Sequence, residues 1–348
     1  MFWAGPGLTD IAYLSDWWRW LGEHSSYGLL PQYIAQLGGV TVTVAKPRLT
    51  NRILGQLRAP AQRPWRNWGY RPGSEAAFLR ALRHPGRIGH ILYFERHHQV
   101  LARSHGAHEA IVATLHHPPD QHQEFPSRFI DDLRRLRSAI VLYTRDLEWF
   151  QRRLGASKVT FIRHGVDTDF FMPAGKPSHP RRLLFVGING RDFAMLTEVV
   201  ARLTREEPEV AFDFVVPKAL RLLRSLWHHP RITWHRNIGD ERLRALYRAS
   251  YLLMLPLTLS GANNAILEAM ACGLPPVTSD VGGIRDYGGA CIYPVVPAHD
   301  AGAMVKLIRD YLHDPKWRDE VGRASRDFAE GQLAWPLVAR QHLEFYRN

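Results

Sequence analysis

The stretch LPLTLSGANNAILEAMACGLPPVTSDVGGIRDY, from Leu255 to Tyr287, constrains this chain more than any other. An apolar run, Tyr251 to Leu257, reads as a buried parallel strand. A small polar turn follows, Ser260-Gly261-Ala262-Asn263-Asn264. A helix is expected from Ala265 to Cys272, with Gly273 as its C-cap. A second strand, Pro276 to Ser279, runs into the pair Gly282-Gly283. Such a strand–turn–helix unit presents unpaired amides and about half a positive charge at the helix N-terminus, which suits an anion. Gly261 lets backbone approach a ligand closely, and Glu268, one turn inside, is an acceptor for ligand hydroxyls. An ordinary βαβ unit of a doubly wound sheet has the same outline.

The rest of the chain alternates in the same way. Expected strands are 9–14, 39–45, 90–94, 110–115, 138–143 and 159–162, with helices over 27–37, 75–83 (capped by Ser74), 129–136 and 147–154, and a short one closed by Arg103–Gly106. The Pro-rich stretch 172–181 reads as a linker. A second series follows: strands at 182–186, 211–216, 232–235 and 290–295, and helices at 193–204, 240–249 (capped by Asp240), 299–313, 316–330 and 335–346. The fold class is therefore α/β, with two doubly wound Rossmann-like lobes. The expected division is 1–172, 173–330 and a terminal helix 331–348 that packs back on the N-terminal domain, with a ligand cleft between the lobes.

Composition narrows the function. At 348 residues, 45% hydrophobic and 22% charged, the chain is that of a soluble globular protein. No apolar run approaches the roughly 20 residues that span a bilayer. The start MFWAGPGLTD carries no secretory pattern, so a cytoplasmic location is expected. Cys272 and Cys291 lie in apolar contexts and are expected as buried thiols. The net charge of +12 is uneven: ten Lys or Arg and one acid, Glu75, fall between Lys46 and Arg87, with Trp65 and Trp68 interleaved. That segment suits an anionic membrane surface or an acidic acceptor, with nucleic acid ranked last for want of a recognisable module, or it is a solvated Arg-rich loop.

Four stretches, in order, resemble the retaining nucleotide-sugar glycosyltransferases of the GT-B fold, glycosyltransferase family 4 (glycosyl transferases group 1). They are RHGVDTDFFMP (163–173), LLFVGINGRD (183–192), WHRNIGDERLRALYRASYLLMLP (234–256) and the opening stretch, best in LEAMACGLPPVTSDVGG. IVATLHH (111–117) is similar to the family's strand that ends in a site histidine. The resemblance implies transfer of a hexose from a UDP-, GDP- or dTDP-sugar to a hydroxyl acceptor (glycan, glycolipid or small molecule), with no cofactor and no metal. It implies that Arg191, with the amides of Gly261, Ala262, Asn263 and Asn264, neutralises the leaving diphosphate. Glu268 would bind the ribose, Gly187 and Asn237 would line the donor site, and Lys218 would add a second charge. His116 would contact the transferred sugar or the acceptor, with His24 and Tyr27 on the acceptor side. His164 and Asp167 are expected in structural turns, and His97 and His98 on the surface.

One departure stands out. The family pattern is Glu, seven residues, Glu, and the first position here is Ser260. A hydroxyl hydrogen-bonds sugar but carries no charge to face a developing oxocarbenium ion. A different donor sugar, relocation of the role, or a binding protein with reduced turnover are the three readings left open. A transferase acting on a polyanionic carrier through the basic segment 46–87 is a further alternative.

Overall fold

The structure, a computed structural model, describes residues 8–15, 22–45, 72–98, 100, 106–119, 128–175, 181–217 and 221–348. Lys218, most of the basic segment with Trp65 and Trp68, the expected end of a helix at Arg103, and much of the linker lie outside the described residues. The chain divides into two compact units: residues 1–18, 27–163 and 338–348 form unit 1, and residues 19–26 and 164–337 form unit 2. Unit 2 thus begins at His164, ahead of the Pro-rich stretch. The short segment 19–26 groups with unit 2, although its neighbours on both sides belong to unit 1.

Unit 1 holds a parallel sheet of β1 (Thr9–Leu14), β2 (Val40–Val44), β3 (Ile88–Ile91), β4 (Ile111–Leu115), β5 (Ser138–Val141) and β6 (Val159–Phe161), in the order β2-β1-β3-β4-β5-β6. β4 is buried at every position, as a strand covered on both faces must be. Several boundaries move. Phe94 opens a short helix, Phe94–His97, instead of closing a strand. The helix expected from Glu75 starts at Pro72, a residue suited to a first helical turn, so Ser74 lies inside it rather than at its cap. His97 and His98 are buried, not on the surface. Each Nδ1 lies 3.1 Å from a carboxylate oxygen, Glu75 Oε1 and Asp132 Oδ2 respectively, and these pairings allow polar rings to be buried.

The terminal helix Trp335–Arg347 brings His342 and Tyr346 into unit 1, where they complete a chain of buried hydrogen bonds. A carbonyl only accepts, so His342 Nδ1 donates to Val338 O (2.7 Å) and its Nε2 accepts from the Tyr27 hydroxyl (2.7 Å). Thr114 Oγ1 donates to Tyr27 (3.2 Å), and His90 Nε2 donates to Thr114 (2.8 Å). His90 Nδ1 accepts from Tyr346 (2.6 Å), which in turn accepts from Tyr13 (3.2 Å). Six bonds run in one direction, and all six side chains are at most 1% exposed. Tyr27, expected on the acceptor side, is an interior residue with its hydroxyl bonded inside unit 1. Burial, reinforced by His342 and His116, holds the His90 pKa well below that of a free imidazole.

Unit 2 holds β7 (Arg182–Val186), β8 (Ala211–Val215), β9 (Ile232–His235), β10 (Leu252–Leu255), β11 (Pro276–Ser279) and β12 (Val295–Val296), in the order β12-β11-β10-β7-β8-β9, all parallel. The last strand is shorter than 290–295: Ala290 adopts φ 65° in a turn, and Cys291 is exposed rather than buried. The chain runs β7-β8-β9 on one side and then crosses to β10 on the other. The order reverses between β7 and β10, and in sheets of this kind ligands bind beyond the carboxyl ends at such a reversal.

Replacing Tyr27 with Phe removes the hydroxyl that joins Thr114 to His342. It should destabilise unit 1 by about 1–3 kcal/mol, read as earlier loss of hydrogen-exchange protection in residues 338–347. Unit 1 should also lose stability as pH falls below about 6.5, because the unfolded chain takes up a proton that folded His90 refuses. A flat stability profile between pH 7.5 and 5 would contradict this.

Candidate donor site in unit 2

Backbone pairing builds the site. After β7, the turn Gly187-Ile188-Asn189-Gly190 brings Arg191 into an antiparallel bridge with Leu257. The Asp192 amide donates to Pro256 O (3.0 Å) and the Thr258 amide to Gly190 O (2.9 Å). Gly190 (φ 67°) is required here, since a Cβ would lie 2.4 Å from Leu259 O. On the other side, the Gly283 amide donates to Ser260 O (2.9 Å), and the Leu257 amide to Ser279 Oγ (3.0 Å). A Cβ on Gly282 (φ 58°) would lie 1.8 Å from Ser260 O. The turn Ser260–Asn264 is thus held from β7 and from β11.

The helix Asn264–Ala271 follows, buried from Ala265 onward. Asn263 is its N-cap through its carbonyl, which accepts from the Ile266 (3.0 Å) and Leu267 (3.1 Å) amides. Among the described residues, no backbone carbonyl accepts from the amides of Gly261, Ala262, Asn263 or Asn264. The helix closes as expected at Gly273 (φ 69°): Gly273 donates to Met270 O and Leu274 to Ala269 O, both at 2.9 Å, the paired bonds of a Schellman motif.

Glu268 is 3% exposed. Its Oε2 accepts from the Tyr247 hydroxyl at 2.8 Å and its Oε1 from Ser25 Oγ. Burial raises its pKa to about 7 against the pull of these two hydrogen bonds, and Asp240 adds to the rise. Arg191 folds over its own turn, donating through Nε and Nη2 to Val186 O (3.0 and 2.8 Å) and through Nη1 to Asn189 O (2.7 Å). Gly187 (φ 82°) makes room for it, since a Cβ would lie 2.8 Å from Nη2. Burial lowers the guanidinium pKa to about 10, so it remains cationic at neutral pH. The Ser260 hydroxyl donates to Gly261 O (3.0 Å).

Gly187, Arg191, Ser260, Gly261, Ala262, Asn263, Asn264 and Glu268 therefore lie together at the β7–β10 reversal. Asn237 does not share this position: it is exposed, at φ 50°, beyond β9, two strands from β7. His24 lies in unit 2, its Nδ1 2.7 Å from Asp167 Oδ2 and its ring stacked on Phe170. Asp167 also caps its own turn, its Oδ1 accepting from the Phe170 amide at 3.0 Å. His164 is buried against Trp335, with Nδ1 on Gly165 O at 2.6 Å, and burial lowers its pKa to about 4. In unit 1, His116 Nε2 donates to Leu92 O (2.7 Å), and Glu95 Oε1 accepts from the amides of His116 and His117 (2.5 and 2.8 Å). Ser25 and Tyr247 were not foreseen. The one available signal was that a tyrosine at an interior helix position needs a partner for its hydroxyl.

Asp240 is the first residue of its helix rather than its cap, and its Oδ2 accepts from the His24 amide at 2.9 Å. Among the described residues, no group of three or more His, Cys, Asp or Glu is placed to hold a metal ion, and no helix is long and apolar enough to cross a membrane.

The family model for glycosyl transferases group 1 matches residues 180–314, all within unit 2. Unit 2 thus holds the matched region, and the chain has the GT-B fold. The D-inositol 3-phosphate glycosyltransferase of Streptomyces avermitilis is 27% identical over 219 residues, 54% of this chain and 46% of that protein. The alpha-maltose-1-phosphate synthase of Mycobacterium tuberculosis is 27% identical over 234 residues, 56% of this chain and 58% of that protein. The chain thus spans about half the length of these curated relatives. Among solved structures, sucrose-phosphate synthase from Thermosynechococcus elongatus superposes with a TM-score of 0.70 at 18% identity, over 97% of this chain and 98% of that one. Anabaena HepE in complex with UDP and glucose gives 0.68 at 15% identity, over 97% and 99%.

Replacing Gly282 with Ala places a methyl group inside contact distance of Ser260 O at a positive φ. It should lower stability by more than about 1 kcal/mol, measured by thermal unfolding, whereas Gly331→Ala, with nothing around it, should not.

Proposed function

We propose that the protein is a retaining glycosyltransferase that moves a hexose from a nucleoside-diphosphate sugar to a hydroxyl group. The observation that carries this reading is the β7–β10 reversal, where unused amides, a cationic arginine and a buried carboxylate lie together. The sugar C1–O bond to phosphate breaks and a C1–O bond to the acceptor forms on the same face. The acceptor proton passes to the departing phosphate. The amides of Gly261 to Asn264 and Arg191 stabilise the diphosphate as its charge develops, and no metal is required for that task. Glu268 accepts hydrogen bonds from the ribose hydroxyls. Ser260 reads a hydroxyl of the sugar without facing it with a charge. The UDP-bound structure of HepE, which has this fold, makes a uridine donor the first to test.

A thermal-shift screen with UDP, GDP, dTDP and their sugars should show stabilisation by one nucleotide series, followed by transfer with net retention in the product's anomeric NMR signal. Arg191→Ala and Glu268→Ala should each reduce transfer about 100-fold with the fold intact. Wild-type rates in both would overturn the assignment. A second reading, nucleotide-sugar binding without turnover, rests on Ser260. Calorimetric binding with neither transfer nor hydrolysis would favour it.

A further inference from the structure

The segment 22–26 packs on the rest of unit 2 through Gly22 and His24. The His24 ring lies flat on Phe170, with centroids 3.6 Å apart and planes 4° apart, and the Arg244 guanidinium lies 4.2 Å from the same ring. The His24 amide donates to Asp240 Oδ2, and Gly22 sits so close that a Cβ would lie 1.5 Å from Asp240 Oδ1. Ser26 takes a φ of 124°, a conformation that a side-chain-bearing residue adopts only when its surroundings hold it. Next to His24, Ser25 reaches Glu268 Oε1, while Tyr247, from the helix Asp240–Ala249, holds Oε2.

Each carboxylate oxygen has two lone-pair directions. One on each is taken by a fixed donor, which leaves a fork of two. We propose that Ser25 and Tyr247 are positioning residues that clamp Glu268, so that its two remaining lone pairs meet a vicinal diol, the 2′- and 3′-hydroxyls of a ribonucleotide. This rests on the donor-site reading above. It adds that segment 22–26 is part of the donor site and that Ser25 and Tyr247 set how Glu268 meets the ribose.

Several groups face or influence the carboxylate. Asp240 and Tyr247 lie on one helix, Cys272 lies at the end of the carboxylate's own helix, Ser25 lies on the segment, and Arg191 acts through Tyr247. Both hydrogen bonds favour the ionised form, whereas burial and Asp240 oppose it. Removing either donor therefore moves the ionisation of Glu268 to higher pH.

The test is calorimetry on the full chain with UDP, GDP, dTDP, 2′-deoxy-UDP and 2′-deoxy-GDP between pH 5.5 and 9. Wild-type protein should bind UDP or GDP more tightly than its deoxy counterpart, with affinity lost as pH falls through the ionisation of Glu268. Tyr247→Phe and Ser25→Ala should each weaken ribonucleotide binding about 5-fold, narrow the ribose preference and move the pH midpoint upward. Ser25→Thr should retain wild-type behaviour. If Tyr247→Phe fails to fold, Ser25→Ala alone decides. Unchanged affinity and midpoint, equal losses for ribo and deoxy ligands, or a preference for dTDP would overturn the proposal while leaving a nucleotide site in place. Wild-type protein that binds none of the five would overturn the donor-site reading and this inference together.

Discussion

The central position of β10 is the constraint on which the candidate site depends. This strand pairs with β7 on one side and β11 on the other, so the loop leaving it is gripped from both neighbours. Arg191 bridges Leu257, Gly190 accepts from Thr258, and Gly283 donates to Ser260. With its flanking backbone groups committed to these pairings, the turn Ser260–Asn264 presents its amides to the space beyond the sheet. Glycine is needed at 190 and 282 because the loops approach to a distance at which no Cβ fits. The anion-binding character of the turn thus follows from sheet order, not from any single basic side chain.

Glu268 gives the site its second character. A carboxylate on a helix that is buried and otherwise apolar from Ala265 onward is costly unless its oxygens are bonded. Here two hydroxyl donors lower that cost without neutralising the group, and burial leaves its pKa at about 7. Such a group is poised between acid and base forms at neutral pH, as perturbed carboxyls in ligand sites often are. The Tyr247 hydroxyl, whose own pKa is driven well above the usual value by burial first and then by Glu268, stays a donor throughout. The polar chain of unit 1 works differently: Tyr13, Tyr346, His90, Thr114, Tyr27 and His342 satisfy one another in one direction.

Much of this was legible from local pattern. β1, β7, β9 and β11 fall where apolar runs place them, and Gly273 closes its helix with the bonds its position predicts. The clustering of Gly187, Arg191, Ser260 and Glu268 followed from motif order. The misses share one physical cause, namely contacts between residues distant in sequence. His97 and His98 look like surface residues until Glu75 and Asp132 are brought beside them. The Tyr27 hydroxyl finds its partner His342 on the terminal helix, 315 residues away. Ser25 reaches Glu268 because residues 22–26 group with unit 2, which no local periodicity records.

The central claim is that the turn after β10 holds the diphosphate of a sugar nucleotide. Hydrogen–deuterium exchange over residues 258–268, with and without saturating UDP, GDP or dTDP, tests it most directly. The account predicts slowed exchange at the amides of Gly261 to Asn264 with at least one of the three. Unchanged exchange there, with protection by a bound nucleotide appearing elsewhere in the chain, would contradict it.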